Sequence, residues 1–71
     1  MKYTHIKFNG KIISLKQFEK FHVTGVLYND KRFKTMVYNN FEFANSINLY
    51  NGSIWGVKSD KKRVLLKRVY N

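Results

Sequence analysis

Cysteine and proline are absent from this 71-residue chain, and carboxylates are scarce: Asp plus Glu total 4 against 14 Lys plus Arg. Without a thiol there is no disulfide framework, no thiolate metal site and no cysteine nucleophile. The lack of proline, with only 4 glycines, excludes collagen-like and Pro/Gly-rich disordered chains. Aliphatic runs are short; the longest is Val64-Leu65-Leu66, against the ~20 residues a membrane helix needs. The opening MKYTHIKFNG alternates polar and apolar residues and does not resemble a secretory signal. The expected location is therefore the cytoplasm, with no membrane partner.

Lysine, asparagine, isoleucine, phenylalanine and tyrosine are abundant, the types that AT-rich codons favour. Such a bias inflates lysine. It does not deplete Asp and Glu, whose codons also suit AT-rich genes. The missing acids, and the net charge of +10 they leave, point instead to a polyanionic partner, because each carboxylate facing one costs Coulomb energy. A coherent positive face is the structural expectation that follows.

The length allows one domain, residues 1–71. Residues 3–8 alternate as a strand does, and Asn9-Gly10 with Lys11-Ile12-Ile13 after it reads as a hairpin. Ser14 and Gln17 have capping-box spacing, which favours a second short helix near 15–21 over a continued strand. Residues 23–28 and 33–38 are β-branched and aromatic, with Asn29-Asp30-Lys31-Arg32 turning between them. Asn39 with Glu42 opens a firm helix over residues 40–51. Its stripe is Phe43, Ala44, Ile47 and Tyr50, and Asn51-Gly52 closes it. Residues 53–58 and 63–70 form a last hairpin. In it Trp55 opposes Ile54, and Val64, Leu66 and Tyr70 oppose Leu65 and Val69. The fold class expected is α+β: a small antiparallel sheet of about five strands with the helix on one face.

Catalysis finds few candidates. His5 and His22 are the only histidines, Asp30 and Asp60 fall in turns, and Glu42 caps a helix. That leaves Glu19, His5 and His22 as the sole conceivable cluster, and half-buried or surface imidazoles explain the histidines more simply than a metal does. The 4 glycines stand apart and cradle no phosphate. No enzyme, metal or cofactor is expected.

Binding is better served. Lys61, Lys62, Arg63, Lys67 and Arg68 crowd the last hairpin, and Lys31, Arg32 and Lys34 repeat the theme in the earlier one. Such residues hold phosphates and release counterions. Trp55, and secondarily Tyr28 or Tyr38, offers a surface on which an unpaired base stacks, although aromatics in a short chain more often serve the core. The expected function is a non-catalytic basic module contacting DNA, RNA or a nucleic-acid–protein complex. The same cations suit an acidic host protein, and an open sheet edge leaves room for a homodimer.

The stretch FEFANSINLYNGSIWGV with KRVLLKRVYN resembles the compact C-terminal parts of small accessory proteins from phages of low-GC Gram-positive bacteria. The resemblance covers about half the chain. It implies a phage-encoded inhibitor of anti-CRISPR or other anti-defence type, acting on a host nuclease or its guide-bound complex in the bacterial cytoplasm. It transfers no site residue. DNA mimicry, which needs an acidic surface, is excluded by the charge.

Overall fold

A computed structural model describes residues 4–70; Tyr3 of the expected first strand lies outside them. The chain forms strands β1 (His5–Phe8), β2 (Lys11–Ser14), β3 (Lys20–Leu27), β4 (Asp30–Tyr38), β5 (Leu49–Val57) and β6 (Arg63–Val69), with one helix, α1 (Phe41–Asn45). β1 and β2 form a separate hairpin, and the other strands make an antiparallel sheet in the order β4-β3-β5-β6. The fold is thus mostly antiparallel β with a lone short helix. Among the described residues, no helix is long and apolar enough to cross a membrane.

The first hairpin forms where the sequence places it. Asn9 and Gly10 both take positive φ, 51° and 78°, as a two-residue turn of the primed kind requires. The helix expected near 15–21 is instead a single 3₁₀ turn, Leu15–Gln17. The Ser14 side chain makes no capping bond. Gln17 Nε2 does reach back, to the Ser14 carbonyl at 2.9 Å. Only a few residues separate β2 from β3, and β3 takes the rest because its alternation buries Phe21 and Val23.

The larger correction concerns residues 40–51. Asn40, not Asn39, caps α1, its Oδ1 accepting from the Phe43 amide at 2.9 Å. The helix stops at Asn45, and β5 begins at Leu49. The anticipated stripe is right only in part: Ala44 is buried and Ile47 packs on the core, but Phe43 and Tyr50 are exposed and Phe41, outside the stripe, is buried. β3 explains the early stop. It is paired on one side by β4 and needs β5 on the other, and one more helical turn would leave that ladder unmade. Gly52 ends no helix. It sits opposite Gly25, where β3 and β5 run close: a Cβ on Gly25 would lie 2.2 Å from the Asn51 carbonyl oxygen, and its φ is 141°.

The turn between β3 and β4 is Tyr28-Asn29, and Asp30 already belongs to β4. In β6 the register shifts beside Ile54, so that Leu66 is the extra residue. Strict alternation therefore fails there: Val69 joins Val64 and Leu66 on the core side, against the expectation that it would lie with Leu65.

The core is Leu15, Phe18, Phe21, Val23, Phe41, Ala44, Leu49, Ile54 and Leu66. Phe18, Phe21 and Phe41 meet edge-to-face, with centroids 6.0 and 5.9 Å apart. Gly56 makes room for Phe18, whose ring would lie 2.6 Å from an added Cβ. All of this lies on one face of the sheet, under α1 and the first hairpin, whose Ile6 and Ile13 pack on the core.

Loss of the cap in Asn40→Ala is expected to cost about 1 kcal/mol, whereas Asn39→Ala stays within about 0.5 kcal/mol. Urea unfolding of both variants checks the reassignment. Gly25→Ala combines backbone strain with a clash against fixed backbone and is expected to cost more than about 2 kcal/mol.

Candidate nucleic-acid interface

Among the described residues, no element covers the other face of the four-stranded sheet. Register fixes its composition, because directly paired residues share a face. One cross-strand row reads Val37, His22, Trp55, Leu65; the next reads Thr35, Thr24, Ser53, Arg68. None of these side chains is buried. Phe33, opposite in direction to Lys34, stands 71% exposed on the same side, and Val37 is 55% exposed.

Trp55 anchors the centre. Its indole Nε1 donates to Thr24 Oγ1 at 3.2 Å, which fixes the ring plane. The Arg63 guanidinium lies 4.8 Å from the ring centroid, a cation–π contact. Arg68 sits 5.3 Å from the centroid of Tyr70 at the β6 end. Lys20 pairs with Val57 and so joins this face near Arg63. Lys31 stands close to Val26 at the opposite end. All four cations are exposed.

The carboxylates lie elsewhere. Asp30 points with Arg32 and Lys34: Lys34 Nζ is 2.6 Å from its Oδ2, and Arg32 Nε is 3.3 Å from its Oδ1. Asp60 accepts from the Lys62 amide at 3.1 Å within the β5–β6 turn. Glu42 occupies the first turn of α1 on the core side, and Glu19 precedes β3. No strand position on the uncovered face is acidic.

The basic residues picked from sequence therefore divide. Trp55, Arg63, Arg68 and Lys31 belong to the uncovered face. Lys61 and Lys62 are exposed in the β5–β6 turn at its margin, Lys61 with φ 69°. Arg32 and Lys34 lie on the other side with Asp30. Lys67 also turns away, donating to Asn45 Oδ1 of α1 at 2.8 Å. The two basic hairpin tips do not converge, since β3 and β5 are antiparallel and send their turns to opposite ends of the sheet. The cations as a whole surround the molecule; what singles out one face is the lack of acids on it. Sequence reasoning missed Lys20 and Phe33; His22, read as a half-buried or surface imidazole, is half-buried on this face. The signal for Phe33 was present in the Phe33-x-Thr35-x-Val37 alternation.

His5 and His22 sit on different sheets, and His5 Nδ1 lies 3.1 Å from Thr4 Oγ1. Among the described residues no group of three His, Asp or Glu side chains is placed to hold a metal ion.

The Lys34 ammonium, followed by Arg32, holds the Asp30 carboxyl down at about 2, from an ordinary 3.8. A lowered folded-state pKa adds stability above the unfolded value, and this is lost as pH falls. The Asp30 side chain is partly exposed and Arg32 is exposed, so the effect is screened. Asp30→Asn is expected to flatten the acid limb of the stability curve between pH 4 and 2 while leaving its slope near neutrality unchanged. Thermal unfolding across that range checks this.

Comparisons with protein-family models, curated proteins and solved structures return no match for this chain, so the reading of this face rests on its own residues.

Proposed function

We propose that this chain is a non-catalytic nucleic-acid-binding module that uses the uncovered face of its four-stranded sheet. The observation that carries the reading is the pairing of aromatic rings with cations, Arg63 over half-buried Trp55 and Arg68 over exposed Tyr70, on a face whose strand positions hold no carboxylate. Lys20, Lys31, Arg63 and Arg68, with Lys61 and Lys62 at the margin, supply phosphate contacts. Trp55 and Phe33 supply stacking surface, and the Arg63 guanidinium over Trp55 extends it, since bases stack on guanidinium planes as well as on rings. Thr24, Thr35 and Ser53 line the middle with hydroxyls that bond to sugars or base edges.

The second reading is an inhibitor of anti-CRISPR or anti-defence type that binds a host protein. One observation favours it. Phe33 and Val37 expose apolar surface on β4, an edge strand that another chain can pair with.

Affinity for oligonucleotides measured at several salt concentrations separates the two. If those six cations each meet one phosphate, the log–log slope on a single strand is about −4. Replacing Lys20 and Arg63 by Gln reduces its magnitude by about 1.4; replacing Arg32 and Lys34 by Gln leaves it unchanged. No binding at low salt rejects the nucleic-acid reading and directs the search to a protein from nuclease-treated host lysate.

A further inference from the structure

One end of the uncovered face is built differently from the rest. Val26 pairs with Asn51, but the next pair is Leu27 with Leu49, so Tyr50 is an extra residue in β5. Such a bulge drops one residue from the ladder and re-aims its side chain. The displaced Tyr50 ring meets Tyr28 edge-to-face, with centroids 5.3 Å apart and planes at 88°. Tyr28 is itself held by its amide, which donates to the Asn48 carbonyl at 3.3 Å. Together with Val26, Leu27, Lys31 and Asn51, the two rings line a cavity of about 330 Å³.

The chemistry of that cavity is specific. Its lining is aliphatic at Val26 and Leu27 and aromatic at Tyr28 and Tyr50, and its side-chain polar groups are a lysine ammonium, a carboxamide and the two phenol hydroxyls. Specific small-ligand sites have this composition, with volumes upward of roughly 300 Å³. A planar heterocycle has aromatic rings to stack on there, and Lys31 stands where an attached phosphate needs a cation. The cavity is continuous with the uncovered face, because Val26 and Asn51 continue the register of Thr24 and Ser53.

We propose that the cavity formed by Tyr28, Tyr50, Lys31 and Asn51 takes one unpaired nucleobase with its phosphate, and so makes single-stranded nucleic acid the ligand of this face. The proposal rests on the nucleic-acid reading above. Dimensions agree with it. Four strands spaced ~4.8 Å apart span about 14 Å between the outer two backbones, and side chains add to that. A duplex major groove is only about 12 Å wide and admits a helix or a two-stranded ribbon. A sheet this broad meets a duplex only at its phosphates, whereas an unpaired strand lays its bases on the rings.

The test uses the full chain with eight-nucleotide DNA and RNA oligomers, single-stranded, duplex, and single-stranded with all bases removed, each compared at the same set of three salt concentrations. The expected result is a preference of at least ~10-fold for single strands over duplex. Tyr50→Ala is expected to weaken single-strand binding by ~10-fold, with the salt slope and the affinity for the abasic oligomer unchanged; Tyr50→Phe retains binding. Amide NMR shifts of the unmodified protein with adenosine 5′-monophosphate, expected at Tyr28, Lys31 and Asn51, give a readout independent of any variant. Binding of single strands with Tyr50→Ala equal to the parent, or mononucleotide shifts elsewhere only, overturns the pocket and leaves the face reading standing. Equal affinity for duplex, single strand and abasic oligomer overturns the strand preference. No binding of any polymer removes both readings. Differences between the DNA and RNA arms identify the sugar preferred.

Discussion

The structure depends on a core that has only one side. Phe21 and Val23 of β3, Ile54 of β5 and Leu66 of β6 all turn toward α1 and the first hairpin. Among the described residues, no element covers the opposite face of the sheet. A sheet in that position ordinarily alternates apolar-in with polar-out. Here the outward positions hold Trp55, Leu65, Val37 and Phe33 among hydroxyls and cations. Burying one such side chain is worth about 1.5–3 kcal/mol, and Phe33 forgoes most of that. No packing within the described fold accounts for its position.

Electrostatics sharpens the same point. With a net charge of +10, cations are found on every side of a body this small, and their presence alone distinguishes no surface. The placement of the carboxylates does. Asp30 is occupied by Lys34 and Arg32, Asp60 closes a turn, and Glu42 lies in the first turn of α1. Of these, Asp30 pairs with cations off the uncovered face, and no strand position on that face is acidic. An approaching phosphate chain meets no carboxylate among those strand positions to repel it.

Local patterns were legible in the sequence where local physics decides. Asn9-Gly10 admits positive φ and made the turn it promised. Trp55 and Ile54 fell on opposite faces as alternation requires, and so did Lys67 and Arg68. Residues 46–51 misled because Ile47 and Tyr50 sit at helical spacing and Gly52 mimics a helix stop, whereas the deciding force is the demand of β3 for a second partner strand. That demand is non-local and leaves no mark within a short window. The site was legible in part for the same reason. Arg63 meets Trp55 across one hairpin, so neighbouring residues suffice to place it. Lys20 reaches the face only through the pairing of β3 with β5, and Tyr50 reaches its position only through a bulge near the close approach at Gly25 and Gly52.

Trp55 is the only tryptophan in the chain and stands at the centre of the uncovered face, so its fluorescence reports on that face alone. Collisional quenching with iodide and with caesium at low ionic strength tests the account directly. An accessible ring set among cations, with no carboxylate nearby, is quenched far more by iodide than by caesium, and added inert salt narrows the difference by screening. Equal quenching by the two ions, or an indole that neither reaches, contradicts the open positive face on which the functional reading stands.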